Sequence, residues 1–501
     1  MIVNKRLLTS LLLGGVMIFS SCGKVDQYHT PPQSGQSTTT AAEAENTSTT
    51  AAKNPVTILT RTVTAASTSA GTALRTTVTA SAASASSAST RSTARTFLRD
   101  DDAPVMLPNH TGFRSRTAAP AVLTATAPQS IERTQEEYTT LTTVTTAPPV
   151  PAERSPREVL ADMTLEEKVC QMFIVTPEQL TGISPMLEVG SGTRSALMRW
   201  PVGGIVYFAQ NLESREQIMN MIANTQSYSL EACGVELFTA VDEEGGAVAR
   251  CAQKLGTAAF SDMAAYGAEN SYETAYSIGR AIGIDLHRLG FNVDFAPVAD
   301  VNIDPANELG TRIFSGDPAV VANMVCGVSS GLQDNGVCAV LKHFPGLGAE
   351  NGNTHSDSAV VIDRTVEQLK NTEFIPFRAA IKDAGASFVM VGHQTVTGFG
   401  DGLPSDLSHI AATEMLRGEL GFDGIAVTDS HMMNTISGVY GADRAAVAAI
   451  NAGMDMILMP ADLDTAVQGV VNAVYSGEIP ISRIDQSVYR ILRQKKQLEL
   501  F

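Results

Sequence analysis

The feature that most constrains this chain is an alternation running through residues 155–501. Eight short apolar runs follow one another: CQMFIV (170–175), GGIVYF (203–208), ELFTAV (236–241), FNVDFAPVADV (291–301), CAVLKHF (338–344), SFVMVGH (387–393), GIAVTDS (424–430) and DMILMP (455–460). Helically spaced segments such as REQIMNMIANTQSYSL and SYETAYSIGRAIGIDLHRLG lie between most of them. Strands separated by helices pair in parallel, because each crossover returns the chain to the edge where it began. Eight such units in about 350 residues predict a closed (β/α)8 barrel of the TIM type. A doubly wound open sheet is the competing architecture, but neither GxGxxG nor GxxxxGK[ST] follows the first run.

Charged residues sit at one end of these runs. Asp242 and Glu244 follow the third, Asp300 ends the fourth, Lys342 and His343 end the fifth, His393 ends the sixth and Asp429 the seventh. In a parallel barrel those ends converge on the carboxyl face, where barrel active sites are built. A single strand-end charge is commonly just solvated, and a single buried His is commonly satisfied by a carbonyl. Five successive strands with the same placement predict a site instead.

Charge separates the two parts of the chain. Residues 1–150 hold 12 Lys and Arg against 9 Asp and Glu, leaving 23 basic and 43 acidic side chains for residues 151–501. An acidic body of this kind lacks the clustered cations that nucleic-acid binding needs. Cysteines at 22, 170, 233, 251, 326 and 338 form no CxxC pair. Those beyond Cys22 are expected to be unpaired, buried thiols.

The N-terminus reads as a targeting segment. Lys5 and Arg6 precede an apolar stretch from Leu7 to Phe19, then Ser20, Ser21 and Cys22. That stretch is shorter than a membrane span of about 20 residues. Residues 1–21 resemble a bacterial lipoprotein signal, which implies lipidation at Cys22. Phe19 departs from the aliphatic residue usual three places before the cysteine. Residues 22–150 are dominated by Thr, Ser and Ala without apolar periodicity, so they are expected to form a disordered tether. An extracytoplasmic protein, anchored to a membrane through lipid or secreted, follows from this reading.

Several ordered motifs of the body carry a family resemblance. KHFPGLGAENGNTH (342–355) resembles the signature of glycoside hydrolase family 3, particularly its single-domain bacterial β-N-acetylglucosaminidases. VGGIVYFAQN (202–211), VDEEGGAVAR (241–250), NVDFAPVADVN (292–302), GTRIFSGDP (310–318), VMVGHQTV (389–396), LRGELGFDGIAVTDS (416–430) and AGMDMILMP (452–460) agree in order. The resemblance implies a catalytic barrel over 155–501 that removes terminal β-linked N-acetylglucosamine with retention, without cofactor or metal. It makes Asp429 the nucleophile that forms a covalent glycosyl intermediate. It makes His355 the acid/base on the loop after the fifth strand, a residue type able to give and take a proton. Asp242, Arg250, Arg312, Lys342 and His343 become the substrate-holding residues.

Two positions depart from the family pattern. Asn353 stands where an Asp usually supports the acid/base histidine, and Leu347 stands where a histidine is usual. A neutral amide can orient an imidazole but cannot supply charge, so either Asn353 or Asp357 is expected to support His355. Trp200 is expected to pack rather than to serve as a sugar platform. Wall fragments and chitin oligomers are the candidate substrates, and a monomer is expected.

Other readings stay open at the level of sequence. A β-glucosidase or β-xylosidase of the same family shares the nucleophile but usually takes its acid/base from a second domain, whereas this sequence ends at Phe501. A phosphorylase is a further variant, because a histidine acid/base admits a phosphate nucleophile. A metal-dependent hydrolase could recruit His343, His393 and Asp429, although the first run offers no HxH. A non-catalytic sugar-binding lipoprotein is the alternative of another class.

Overall fold

Capping boxes start the folded part. Ser155 and Glu158 close one over Pro156–Asp162, and Thr164 and Glu167 close another over Leu165–Gln171. Each satisfies backbone donors that the helix start would leave orphaned. The second helix runs through Cys170 and Gln171, so the first strand is shorter than the run CQMFIV suggested: β1 is Phe173–Val175. This computed structural model describes residues 154–349, 352–357 and 359–501. The expected signal, Cys22 and the tether lie outside the described residues.

Seven more strands complete a closed parallel barrel: β2 Gly204–Val206, β3 Phe238–Val241, β4 Val293–Asp294, β5 Cys338–Phe344, β6 Phe388–Val391, β7 Ile425–Ser430 and β8 Met456–Leu458. Each strand pairs with its neighbours in sequence, and β8 closes on β1 with Phe173 opposite Ile457 and Ile174 opposite Leu458. The eight runs therefore mark the eight strands, in order. The fourth is cut furthest. Pro297 has no N–H to give to a ladder, and pairing resumes only as the isolated bridge between Val298 and Lys342.

The crossovers are α1 Ser191–Arg199, α2 Arg215–Cys233, α3 Tyr272–Leu289, α4 Pro318–Gln333, α5 Phe374–Asp383, the π-helical α6 Ile410–Glu419, α7 Ala442–Ala452 and α8 Leu463–Ser476. A last helix, α9 Ile481–Gln497, follows. The pair α3 and α4 packs closely because of glycine. A Cβ on Gly279 would lie 2.2 Å from the Val328 carbonyl, and one on Gly331 would lie 2.3 Å from that of Tyr276. Any larger residue at either place would push the helices apart.

Aromatic side chains fill the barrel. Phe238 on β3 meets Phe388 on β6 edge-on at 5.2 Å. Beneath them α9 delivers Lys495, fully buried, whose Nζ donates to Gln171 Oε1 at 2.8 Å and lies 5.2 Å from the Phe238 ring centre. Burial pushes this amine down to about 7. Trp200 is half-buried against the core, with Arg199 stacked 4.9 Å from its ring centre. Cys170, Cys251 and Cys338 are buried free thiols, while Cys233 and Cys326 are half-buried ones. Among the described residues no helix is long and apolar enough to cross a membrane.

Candidate active site

The carboxyl ends of the strands open into a cavity of about 560 Å³. Its lining includes Asp242, Arg250, Arg312, Lys342, His343, Asn353, His355 and Asp429, so the residues to which the family resemblance points meet here. This size lies within the range of about 300–1,000 Å³ usual for small-molecule sites.

The floor is an ionic network. Asp242 directly follows β3, and the hairpin Glu243–Gly245 with Val248–Ala249 brings Arg250 back to it. Arg250 Nη2 lies 3.0 Å from Asp242 Oδ2, and Lys342 Nζ on β5 lies 3.1 Å from Asp242 Oδ1. Lys342 also meets Glu244 Oε1 at 2.5 Å. Arg312, on the turn Gly310–Arg312 after β4, grips Glu244 with both arms of its fork, at 2.7 and 2.8 Å. Burial would raise the Glu244 carboxyl, but Lys342 and Arg312 outweigh it and hold it at about 2. Burial likewise works against the Lys342 ammonium, and Glu244 with Asp242 lifts it above the ordinary lysine value. Glu244 and Lys342 are therefore charged at neutral pH.

Beside this network stands His343. Its backbone N–H donates to Asp300 Oδ2 at 3.0 Å, and its ring Nδ1 lies 2.8 Å from the same oxygen. Asp300 Oδ1 accepts from the Leu347 N–H at 2.7 Å, so one buried carboxylate fixes both ends of the turn KHFPGL. With Nδ1 committed to Asp300, Nε2 is the ring nitrogen left for a ligand.

Asp429 lies in the last turn of β7 and is half-buried. Its Oδ1 accepts the Ser430 N–H at 2.7 Å. Burial would raise its carboxyl, but His393, His343, the Ser430 N–H and Lys342 outweigh it and keep it below the usual aspartate range. Behind it, His393 Nε2 lies 2.9 Å from the Ser430 carbonyl. Its Nδ1 is 3.1 Å from Asp406 Oδ1, an ion-pair distance without hydrogen-bond geometry. Asp406 Oδ2 lies 2.9 Å from His431 Nε2. Burial disfavours a charged His393, yet Asp406 lifts it to about 9, so a buried cation backs the Asp429 peptide. His393 was read in the sequence as one more strand-end residue of the site. It stands behind the cavity wall instead, and Asp406 and His431, its partners, carried no sequence signal.

The segment 352–357 forms the roof. Asn353 Oδ1 accepts the backbone N–H of His355 at 2.9 Å and that of Ser356 at 3.3 Å. Asp357 Oδ2 accepts the Asn353 N–H at 2.8 Å. Among the described residues neither side chain hydrogen-bonds to the His355 ring; both shape the turn that carries it. The turn is pinned from two sides. The Thr435 hydroxyl lies 2.9 Å from both the Thr354 and Asp357 carbonyls, and Asn434 Nδ2 donates to the Ser356 carbonyl at 3.1 Å. From the other side Glu308 accepts from the Thr354 hydroxyl at 3.2 Å and its N–H at 3.4 Å. Glu308 lines the cavity as well, and the sequence reading missed it. Among the described residues no group of three or more His, Cys, Asp or Glu is arranged to hold a metal ion.

The model of the glycosyl hydrolase family 3 N terminal domain matches residues 164–494. Beta-hexosaminidase A of Pseudoalteromonas piscicida is 30% identical over 329 residues, which cover 60% of this chain and 54% of that protein. Beta-hexosaminidase LpqI of Mycobacterium tuberculosis is 34% identical over 272 residues, 52% of this chain and 68% of that one. A solved family 3 beta-N-acetylglucosaminidase from Paenibacillus superposes with a TM-score of 0.63 at 36% identity, covering 68% of this chain and 63% of that one. The beta-N-acetylhexosaminidase of Beutenbergia cavernae gives 0.59 at 29% identity, covering 67% and 99%. The chain thus spans about half of the Pseudoalteromonas protein and nearly all of the Beutenbergia one. With the family model matched across the whole barrel and the resembling motifs gathered around one cavity, the chain belongs to glycoside hydrolase family 3.

Proposed function

We propose that this protein hydrolyses terminal β-linked N-acetylglucosamine with retention of configuration, through a glycosyl-Asp429 intermediate and with His355 as acid/base. The observation that carries the reading is the state of Asp429. It is a cavity-lining carboxylate without a salt-bridge partner among the described residues, oriented by the Ser430 N–H and kept ionised by His393, His343 and Lys342. A carboxylate so placed is free to attack rather than committed to structure. The names of its relatives support the substrate: they are hexosaminidases and N-acetylglucosaminidases.

In the first step an Asp429 oxygen bonds to the anomeric carbon while His355 protonates the leaving oxygen. In the second, water attacks the same carbon, His355 takes the proton, and Asp429 leaves as carboxylate. Asp242 accepts from sugar hydroxyls, whereas Lys342, Arg250, Arg312 and His343 Nε2 donate to hydroxyls or the acetamido carbonyl. The Asp–cation pairs hold these groups in place before substrate arrives, so little ordering is left for the binding step.

Rates on 4-nitrophenyl N-acetyl-β-glucosaminide, β-glucoside and β-xyloside test the sugar. Labelling with a 2-fluoro or 5-fluoro glycosyl fluoride, followed by peptide mapping, tests the nucleophile. Preference for the N-acetylglucosaminide with the label on Asp429 is expected; a label elsewhere overturns the mechanism. The N-terminal reading, lipidation at Cys22 and a substrate outside the cytoplasm, is a separate proposal. Fatty-acid labelling of the parent and of Cys22→Ala tests it.

A further inference from the structure

The charges of the cavity are unevenly committed. Four carboxylates line it, Asp242, Glu244, Glu308 and Asp429, against three permanent cations, Arg250, Arg312 and Lys342. All three cations are taken: Arg250 by Asp242, Arg312 by Glu244, and Lys342 by both. His343 is engaged by Asp300. Asp429 and Glu308 are the two lining carboxylates that make no salt bridge among the described residues. Asp429 sits near the end of β7. Glu308 belongs to the loop after β4 and bonds to Thr354, the residue next to His355. It therefore stands on the side from which the leaving group departs and the second nucleophile arrives.

We propose that Glu308 selects the acceptor of the glycosyl group, admitting water and neutral hydroxyls and repelling phosphate and other anions. This inference rests on the reading of Asp429 and His355 given above. A histidine acid/base by itself sets no barrier to an anionic nucleophile. With water, the C1–O bond forms, the Asp429–C1 bond breaks and the water proton passes to His355. With hydrogen phosphate, the same bond to Asp429 breaks as a phosphate oxygen bonds to C1, giving the sugar 1-phosphate with no proton to remove. The second route needs a place for a dianion beside His355. A carboxylate there without a salt bridge, and with every lining Arg and Lys already paired, opposes it, because like charges repel more strongly in a partly buried cavity than in water. Neutral acceptors feel no such force. The same field disfavours aglycones that carry a carboxylate near the scissile bond, which ranks neutral chitin-type oligomers above muramic-acid-containing ones.

Product partitioning tests this. The parent enzyme acts on 4-nitrophenyl N-acetyl-β-glucosaminide in water alone, or with molar-range methanol, azide or inorganic phosphate added as competing acceptors of the glycosyl group. Methyl glycoside is expected with methanol, and only free sugar with phosphate or azide. Glu308→Gln keeps the size and the hydrogen bonds but removes the charge, and at least a tenfold rise in the fraction of sugar 1-phosphate or glycosyl azide is expected. Glu308→Asp should behave like the parent in product identity. Thr354→Val cuts the hydroxyl contact and leaves the charge, so it should slow turnover without admitting phosphate. Sugar 1-phosphate as a main product of the parent overturns the proposal, and so does a Glu308→Gln enzyme that still hydrolyses but partitions like the parent. A parent that turns over no N-acetylglucosaminide at all overturns the underlying reading instead, and the proposal with it.

Discussion

The floor and the roof of the cavity are built by opposite means. On the floor, Asp242, Glu244, Arg250, Arg312 and Lys342 come from three neighbouring strand ends and are joined side chain to side chain. On the roof, Asn353 and Asp357 spend their side-chain oxygens largely on backbone N–H groups, and the exposed His355 ring is left unbound by either. A floor of this kind cannot move without breaking ion pairs. A roof fixed by its backbone holds its one titratable ring loosely. Under the proposed mechanism, binding and proton transfer fall to parts of different stiffness.

This contrast can be broken in order of effect. Asp429→Asn, at the boundary of the two regions, should lower kcat on the order of 10⁴-fold or more, with the thermal midpoint unchanged or raised. His355→Ala, on the roof, should cost about 10²–10⁴ in kcat and more for poor leaving groups than for nitrophenol, again without loss of stability. Lys342→Met, on the floor, should behave differently. It removes one of the two cations that each of Asp242 and Glu244 touches, leaving Arg250 and Arg312, and should lower stability as well as raise KM, which urea unfolding and kinetics would show together. If Lys342→Met left stability intact, the floor would not be the rigid element argued here. Asn353→Ala should do least, about 1 kcal/mol of loop order read as a modest fall in kcat. A fall as large as that of His355→Ala would show that the amide reaches the ring during the reaction.

A third region, the amino end of the barrel, gives a control far from the cavity. Lys495 is neutralised more easily than in the unfolded chain, its value falling from the ordinary 10.5 to about 7. Between those values the unfolded state binds more protons, so this residue makes stability rise with pH across that window and fall as pH drops toward 7. Lys495→Met should flatten the slope, visible as a smaller change of Tm between pH 7 and 10, with activity on 4-nitrophenyl substrate unaltered.

The sequence disclosed the barrel because strand and helix periodicities are local, and it disclosed Asp429, Lys342 and His343 because a strand end fixes where they point. It said less about lengths. The helix begun at Thr164 took Cys170 and Gln171 from the start of the first run, and Pro297 cut the fourth strand to Val293–Asp294. It was silent on Glu308, Asp406 and His431, whose contacts span 46 and 25 positions and follow no period. Asn353 drew notice as an odd residue, but its task of bonding backbone donors is a property of turn geometry that spacing alone does not reveal.

The Thr435 hydroxyl touches the Thr354 and Asp357 carbonyls equally, yet owns a single hydrogen to give. It stands six positions after Asp429, on the same excursion of chain. The reach from Asp429 to the turn that carries His355 therefore runs through a short local span and one shared proton, beside the ties from Asn434 and Glu308. Exchange of that one small alcohol for valine would remove its tie at a stroke.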